Sequence, residues 1–99
     1  QLQDDLYFTQ ALALSRGKTI LLDFRHSTSR YQIRDGITII LARDYSNEFT
    51  IEKGSMNTTI EFNLNGNIRN PGTIFVDTKG ERYKLTFQLG KGRFDVTKL

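Results

Sequence analysis

Three short segments hold residue types that could do chemistry. His26-Ser27-Thr28-Ser29 sets the one histidine of the 99-residue chain beside three hydroxyls, with Asp23 just upstream. These are the ingredients of a base, a nucleophile and an orienting acid. A triad, however, needs groups that converge from separate elements, and neighbours at a strand end point apart. The segment is expected to be a polar hairpin loop. Asp44-Tyr45-Ser46-Asn47-Glu48 is a run of oxygen-bearing side chains. It lacks the twelve-residue spacing and central glycine of a calcium loop, so a solvated turn is expected. Gly90-Lys91-Gly92-Arg93 has the composition of a phosphate-binding loop. Such loops open a helix, and here strand-like residues follow, so a hairpin is expected.

The eleven carboxylates are scattered, and no pair is placed for acid–base work. The absence of cysteine excludes a disulfide framework, a thiolate nucleophile, a zinc–thiolate site and an iron–sulfur cluster. A single histidine excludes a multi-histidine metal site within one chain. No enzymatic activity, cofactor or metal is therefore expected.

The elements that would position these residues follow from periodicity. Leu2, Leu6, Thr9 and Ala13 lie at i, i+4, i+7 and i+11, one stripe of a helix over residues 2–16. Asp4 and Asp5 suit its positive end, Arg16 its negative end, and Gly17 its stop. Phe8 and Leu12 fall on one flank, and Tyr7, Ala11 and Leu14 on another, so the helix has more apolar surface than one sheet covers. From Lys18 onward the period becomes 2. Ile20/Leu22/Phe24, Tyr31/Ile33, Ile37/Ile39/Leu41, Ile60/Phe62/Leu64, Ile74/Val76, Tyr83/Leu85/Phe87/Leu89 and Phe94/Val96 are expected on inward faces, with Phe49 and Ile51 in a short strand. Asp35-Gly36, Gly54-Ser55, Asn65-Gly66, Asn70-Pro71-Gly72, Lys79-Gly80 and Gly90-Lys91-Gly92 punctuate the strands.

One helix followed by six to eight short strands, with no second helix for parallel crossovers, predicts an α+β fold: the helix packed on a mostly antiparallel β-sheet. Residues 1–16 supply the helix and 17–99 the sheet, together one domain. Apolar runs reach only four residues, as in Ile39–Ala42, far short of the roughly 20 of a membrane span. A first residue Gln1 rather than Met leads to the expectation of a processed or trimmed piece.

The formal net charge is +3, and it is uneven. Residues 16–34 hold five basic and one acidic side chain, and residues 79–99 hold six and two. If sheet order joined these segments, Arg30, Arg34, Lys91, Arg93 and Lys98 would form a phosphate-facing patch, making them the candidate DNA contacts.

Three blocks, in order, resemble the minor pseudopilins of the type IV pilin family. They are Gln1-Leu2-Gln3-Asp4-Asp5-Leu6 with Thr9-Gln10-Ala11-Leu12-Ala13-Leu14-Ser15-Arg16, then Ile60-Glu61-Phe62-Asn63 with Gly66, then Tyr83 through Arg93 ending in Gly-x-Gly-Arg. Residues 35–58 match nothing in particular. Within the family the blocks are most similar to D-type minor pilins of the ComG competence pilus of Gram-positive bacteria; H-type secretion pseudopilins and FimT-type minor pilins are related groups.

The resemblance implies a truncated pilin helix and an upstream leader cut by a prepilin peptidase. It also implies an apolar half-helix that anchors the subunit in the cell membrane and later packs in the filament. The domain would be displayed at the cell surface, as a non-enzymatic subunit in pilus initiation for DNA uptake. Partners would be other minor and major pilins, with contact residues Leu2, Leu6, Tyr7, Phe8, Ala11, Leu12 and Leu14. FimT-type relatives that bind DNA close with Gly-Arg-x-Arg. Here Gly92-Arg93-Phe94-Asp95 puts an acid at the second arginine, which weakens the case for DNA contact.

Overall fold

Leu2–Arg16 form α1, the single helix of a computed structural model that describes residues 2–25, 29–53, 59–90 and 92–99. Gly17, at φ +65°, closes the helix by donating its N–H to the Ala13 carbonyl at 3.0 Å, the left-handed cap that glycine adopts without a Cβ penalty. Its buried stripe is Leu2, Asp5, Leu6, Thr9 and Ala13.

Among the described residues eight strands follow: β1 (Ile20–Arg25), β2 (Arg30–Asp35), β3 (Thr38–Asp44), β4 (Thr50–Lys53), β5 (Thr59–Phe62), β6 (Gly72–Thr78), β7 (Glu81–Phe87) and β8 (Phe94–Lys98). They form two four-stranded sheets, ordered β3-β2-β1-β5 and β4-β6-β7-β8, and every pairing is antiparallel. Alternation sends Ile20, Leu22, Phe24, Tyr31, Ile33, Ile60 and Phe62 to the inner face of the first sheet, and Ile74, Val76, Leu85, Phe87 and Phe94 to that of the second. The helix packs on β1 and β5 and reaches the second sheet through Tyr7, whose ring lies 5.3 Å from that of Phe94.

Simple alternation fails at three places, each for a local reason. Ile37, Ile39 and Leu41 do not share the inner face. Ile33 opposes Leu41 while Arg34 opposes Ile39, so a bulge at Ile40 reverses the parity of the strand. Ile37 sits in the turn, 97% exposed, and Ile39 points outward beside Arg34. Leu64 is exposed because β5 stops at Phe62. There the Asn63 carboxamide oxygen accepts the N–H groups of Asn65 at 2.9 Å and Asn67 at 3.1 Å and bends the chain away. Leu89 likewise lies past the end of β7, and Val96, on the edge strand β8, is only half-covered.

Candidate subunit-contact surface

Two polar anchors fix how the helix lies on the sheets. The first is Asp5, 4% exposed and facing the inner end of β2 and β3. Its carboxylate accepts the Tyr31 hydroxyl at 2.5 Å and the Arg43 guanidinium, Nε at 2.5 Å and Nη2 at 3.3 Å. Arg43 opposes Tyr31 across β2–β3, so both donors come from one rung of the sheet. The sequence reading gave Asp5 only a helix-dipole role. Its place on the Leu2/Leu6/Thr9 arc was the available sign that it turns inward.

Burial, with the Asp5 carboxylate against its hydroxyl, pushes Tyr31 well above the usual tyrosine range. A tyrosine whose ionisation is raised by folding stabilises fully below about pH 10 and loses that contribution as pH rises toward its folded value. In an alkaline ultraviolet titration of the four tyrosines, the Tyr31 phenolate is expected to appear only together with loss of the folded circular-dichroism signal. Tyr31→Phe should remove that last phase. A Tyr31 phase that precedes unfolding contradicts the buried anchor.

The second anchor joins the three blocks of the family resemblance at one point. The Gln10 side-chain amide donates to the carbonyls of Gly66, at 2.8 Å, and of Gly92. Gly66 has φ +76°, and a Cβ there would stand 3.0 Å from Leu14 Cγ, so this turn needs glycine both for conformation and for its close approach to the helix. A Cβ at Gly92 would stand 3.3 Å from Gln10 Nε2. The helix, the Asn63–Gly66 turn and the closing hairpin thus meet around one glutamine.

Of the seven candidate contact residues, Leu2 and Leu6 are corrected: both are buried in the domain's own core, as members of the stripe that faces the sheets. Leu12 is partly buried against that core. Tyr7 (54% exposed), Phe8 (43%), Ala11 and Leu14 (55%) remain on the outside. Between Asp5 and Arg16 the helix has no charged residue on any face, although one side is open. An exposed helix face ordinarily carries charged residues, and this one does not. Beside the first turn, a trough of about 690 Å³ runs between apolar Leu2, Phe49, Val76, Leu85 and Val96 and polar or charged Gln3, Asp4, Glu48 and Lys79.

The basic residues are divided between the two sheets. Arg30 and Arg34 stand on the first sheet, Arg93 and Lys98 on or beside β8 of the second, and no strand pairing joins the two sheets. Arg34 reaches Asp23 at 3.3 Å and Lys98 reaches Glu81 at 3.0 Å. Arg30 and Arg93 are exposed, while Lys91 lies outside the described residues, as do His26, Ser27, Thr28 and Gly54-Ser55. The combined patch conditioned on sheet order therefore does not form by strand pairing. Asp44, the candidate calcium ligand, accepts the Ser46 N–H at 2.9 Å and hydroxyl at 2.7 Å in a local turn, which holds its carboxyl below the usual range. Among the described residues no three acidic or histidine side chains gather around a possible metal site, and no helix is long and apolar enough to cross a membrane.

No protein-family model matches the chain, and no curated protein matches it in sequence. Solved structures share its fold. The type IV minor pilin FimU of Pseudomonas aeruginosa (PAO1) superposes with a TM-score of 0.74 at 16% identity, over 97% of this chain and 82% of that one. A second crystal form of FimU gives 0.69 at 15% identity, over 97% and 86%. The minor pseudopilin EpsH of the Vibrio cholerae type 2 secretion system gives 0.63 at 15% identity, over 96% and 89%. The architecture is therefore the pilin-like α+β fold: one N-terminal helix on antiparallel sheets.

Proposed function

We propose that this chain is the globular part of a minor pilin or pseudopilin, a non-enzymatic subunit that acts by packing against other subunits of a filament. The observation that carries this reading is the helix itself. Its inner stripe is tied down by Asp5 and Gln10, while its outer side presents Tyr7, Phe8, Ala11 and Leu14 without a charge among them. The fold shared with a minor pilin and a minor pseudopilin supports it.

The trough beside the first turn adds support. Tyr7 sits at the level of Phe94, and Gln3 lines the trough with Val96. Two strand residues rise about 6.6 Å, as far as roughly four helical residues. The next inward rung of the second sheet, Tyr83 with Lys98, therefore lies level with a turn preceding Leu2. A helix continuing upstream, as the pilin reading requires, would roof this trough and lead toward a membrane anchor.

Within that class we favour the competence pilus, on the three sequence blocks, with other minor and major pilins as partners and DNA uptake as the process served. Secretion is the alternative setting. Direct DNA contact is the lesser reading, because Arg34 and Lys98 are ion-paired and the basic hairpins belong to different sheets.

The test is Ala11→Glu in the full-length protein. Ala11 is exposed, so the isolated domain should keep its denaturation midpoint. Burying an unpaired carboxylate in a subunit contact costs several kcal/mol, and each ~1.4 kcal/mol is tenfold in affinity. Assembly into filaments, and transformation if the pilus is a competence pilus, should fall more than tenfold. Normal assembly with a folded variant would refute the contact face.

A further inference from the structure

Of the chain's asparagines, only Asn65 precedes a glycine. That pairing is chemically reactive. With no side chain on the following residue, the Gly66 backbone nitrogen meets little hindrance in attacking the Asn65 carboxamide. A bond forms between Gly66 N and Asn65 Cγ and the Cγ–Nδ2 bond breaks. The Gly66 amide proton leaves with that nitrogen, as ammonia. Water then opens the cyclic imide. Attack at Cγ gives aspartate, and attack at the main-chain carbonyl gives isoaspartate, with one more carbon in the backbone.

The folded turn keeps the reacting groups apart. Asn65 is exposed, but Gly66 is buried and its N–H donates to the Asn63 carbonyl at 2.8 Å. Gly66 is the first residue of this turn with positive φ, so residues 63–66 follow the type I pattern. In that pattern the third residue has ψ of about 0°, which swings the next nitrogen away from its side chain. Ring closure needs that peptide plane rotated until the nitrogen lies beside Cβ, and the rotation pulls the Gly66 N–H off Asn63. The surroundings oppose it. The Asn63 carboxamide oxygen accepts the N–H groups of Asn65 and Asn67 on either side, and the Gly66 carbonyl accepts Gln10 Nε2 at 2.8 Å. Leu14 closes the space beside Gly66, 3.0 Å from where a Cβ would stand.

We propose that Asn65 is a deamidation site gated by the helix: it stays intact while Gln10 holds Gly66, and it converts when the turn leaves α1. The conversion is one-way. An isoaspartate lengthens the backbone beside buried Gly66 and adds a negative charge, so the Gln10 joint does not re-form. The site therefore records how long the turn has been out of its seat. Asp35-Gly36, the one Asp-Gly pair, is held differently. Its carboxylate is paired with Arg16 at 2.8 Å and Lys18 at 3.3 Å, and an ionised carboxylate resists the same attack.

The experiment incubates the 99-residue chain in mildly alkaline buffer, with and without denaturing urea, and follows position 65 by tandem mass spectrometry of its tryptic peptide. Conversion is expected to be at least about tenfold slower in the folded chain than in urea, because local opening must precede it. Gln10→Ala keeps a strong helix former at the position and should raise the folded rate about fivefold, the worth of one hydrogen bond. Tyr31→Phe weakens the domain away from the turn and should leave the folded rate unchanged. Equal rates with and without urea overturn the protection, and no effect of Gln10→Ala overturns the gate. A matching rise with Tyr31→Phe overturns it too, because conversion then follows unfolding of the whole domain. No conversion in urea overturns the reactivity itself.

Discussion

Asp5→Ala is expected to destabilise the domain by about 1–3 kcal/mol, because it leaves the buried Tyr31 hydroxyl without its acceptor, while the Arg43 guanidinium, with its side chain 35% exposed, turns to water. A domain of this size holds roughly 5–15 kcal/mol in total, so the loss should be visible as a fall in Tm of more than about 4 °C. The cost belongs to the broken pair rather than to the pair's net attraction. Replacing all three groups, Asp5→Leu with Arg43→Met and Tyr31→Phe, should therefore recover most of it. Urea denaturation of the two variants checks this. An Asp5→Ala midpoint equal to the parent's would mean that the anchor holds nothing.

Phe62→Ala should cost ~3–5 kcal/mol, while Leu64→Ala, two residues on, should change stability by less than about 0.5 kcal/mol. Phe62 is fully buried, opposite Ile20 on β1 and bridged to Ile68, so its ring fills the space between strand, turn and helix. Leu64 continues the same apolar alternation in sequence but stands beyond the Asn63 turn, exposed. Equal losses at both positions would mean that β5 runs on through residue 64 and that the turn is misplaced.

That pair of residues shows how far the chain's own pattern could be read. Helix extent, inward stripe, antiparallel strands and most turns follow from spacing alone, since each is a local consequence of period 3.6 or 2 and of where Gly, Asn and Pro stand. Alternation is blind to a single inserted residue, so the Ile40 bulge, which puts Ile39 outside, left no mark in it. The split into two sheets depends on which strands pair at long range, and nothing in hydrophobic order distinguishes β1–β5 from β4–β6. The exposed apolar side of the helix was legible in part. Tyr7, Phe8, Ala11 and Leu14 stand where surplus apolar surface was expected, but Leu2 and Leu6 cannot serve both the core and a neighbour. Gln10 and Asn70 went unread because a polar side chain bonding to distant backbone carbonyls or amides has no periodic signature.

Because the chain has no cysteine, the proposed cover of the uncharged outer side of α1 by other subunits is directly measurable. With Ala11→Cys in the full-length protein, a bulky maleimide reads one position. Thr97→Cys, exposed on β8, serves as a reference. Both thiols should react alike in the isolated domain. In assembled filaments Ala11→Cys should be protected and Thr97→Cys should remain reactive. If Ala11→Cys in filaments reacts as fast as in the free domain, the helix face is not a subunit contact and the account fails.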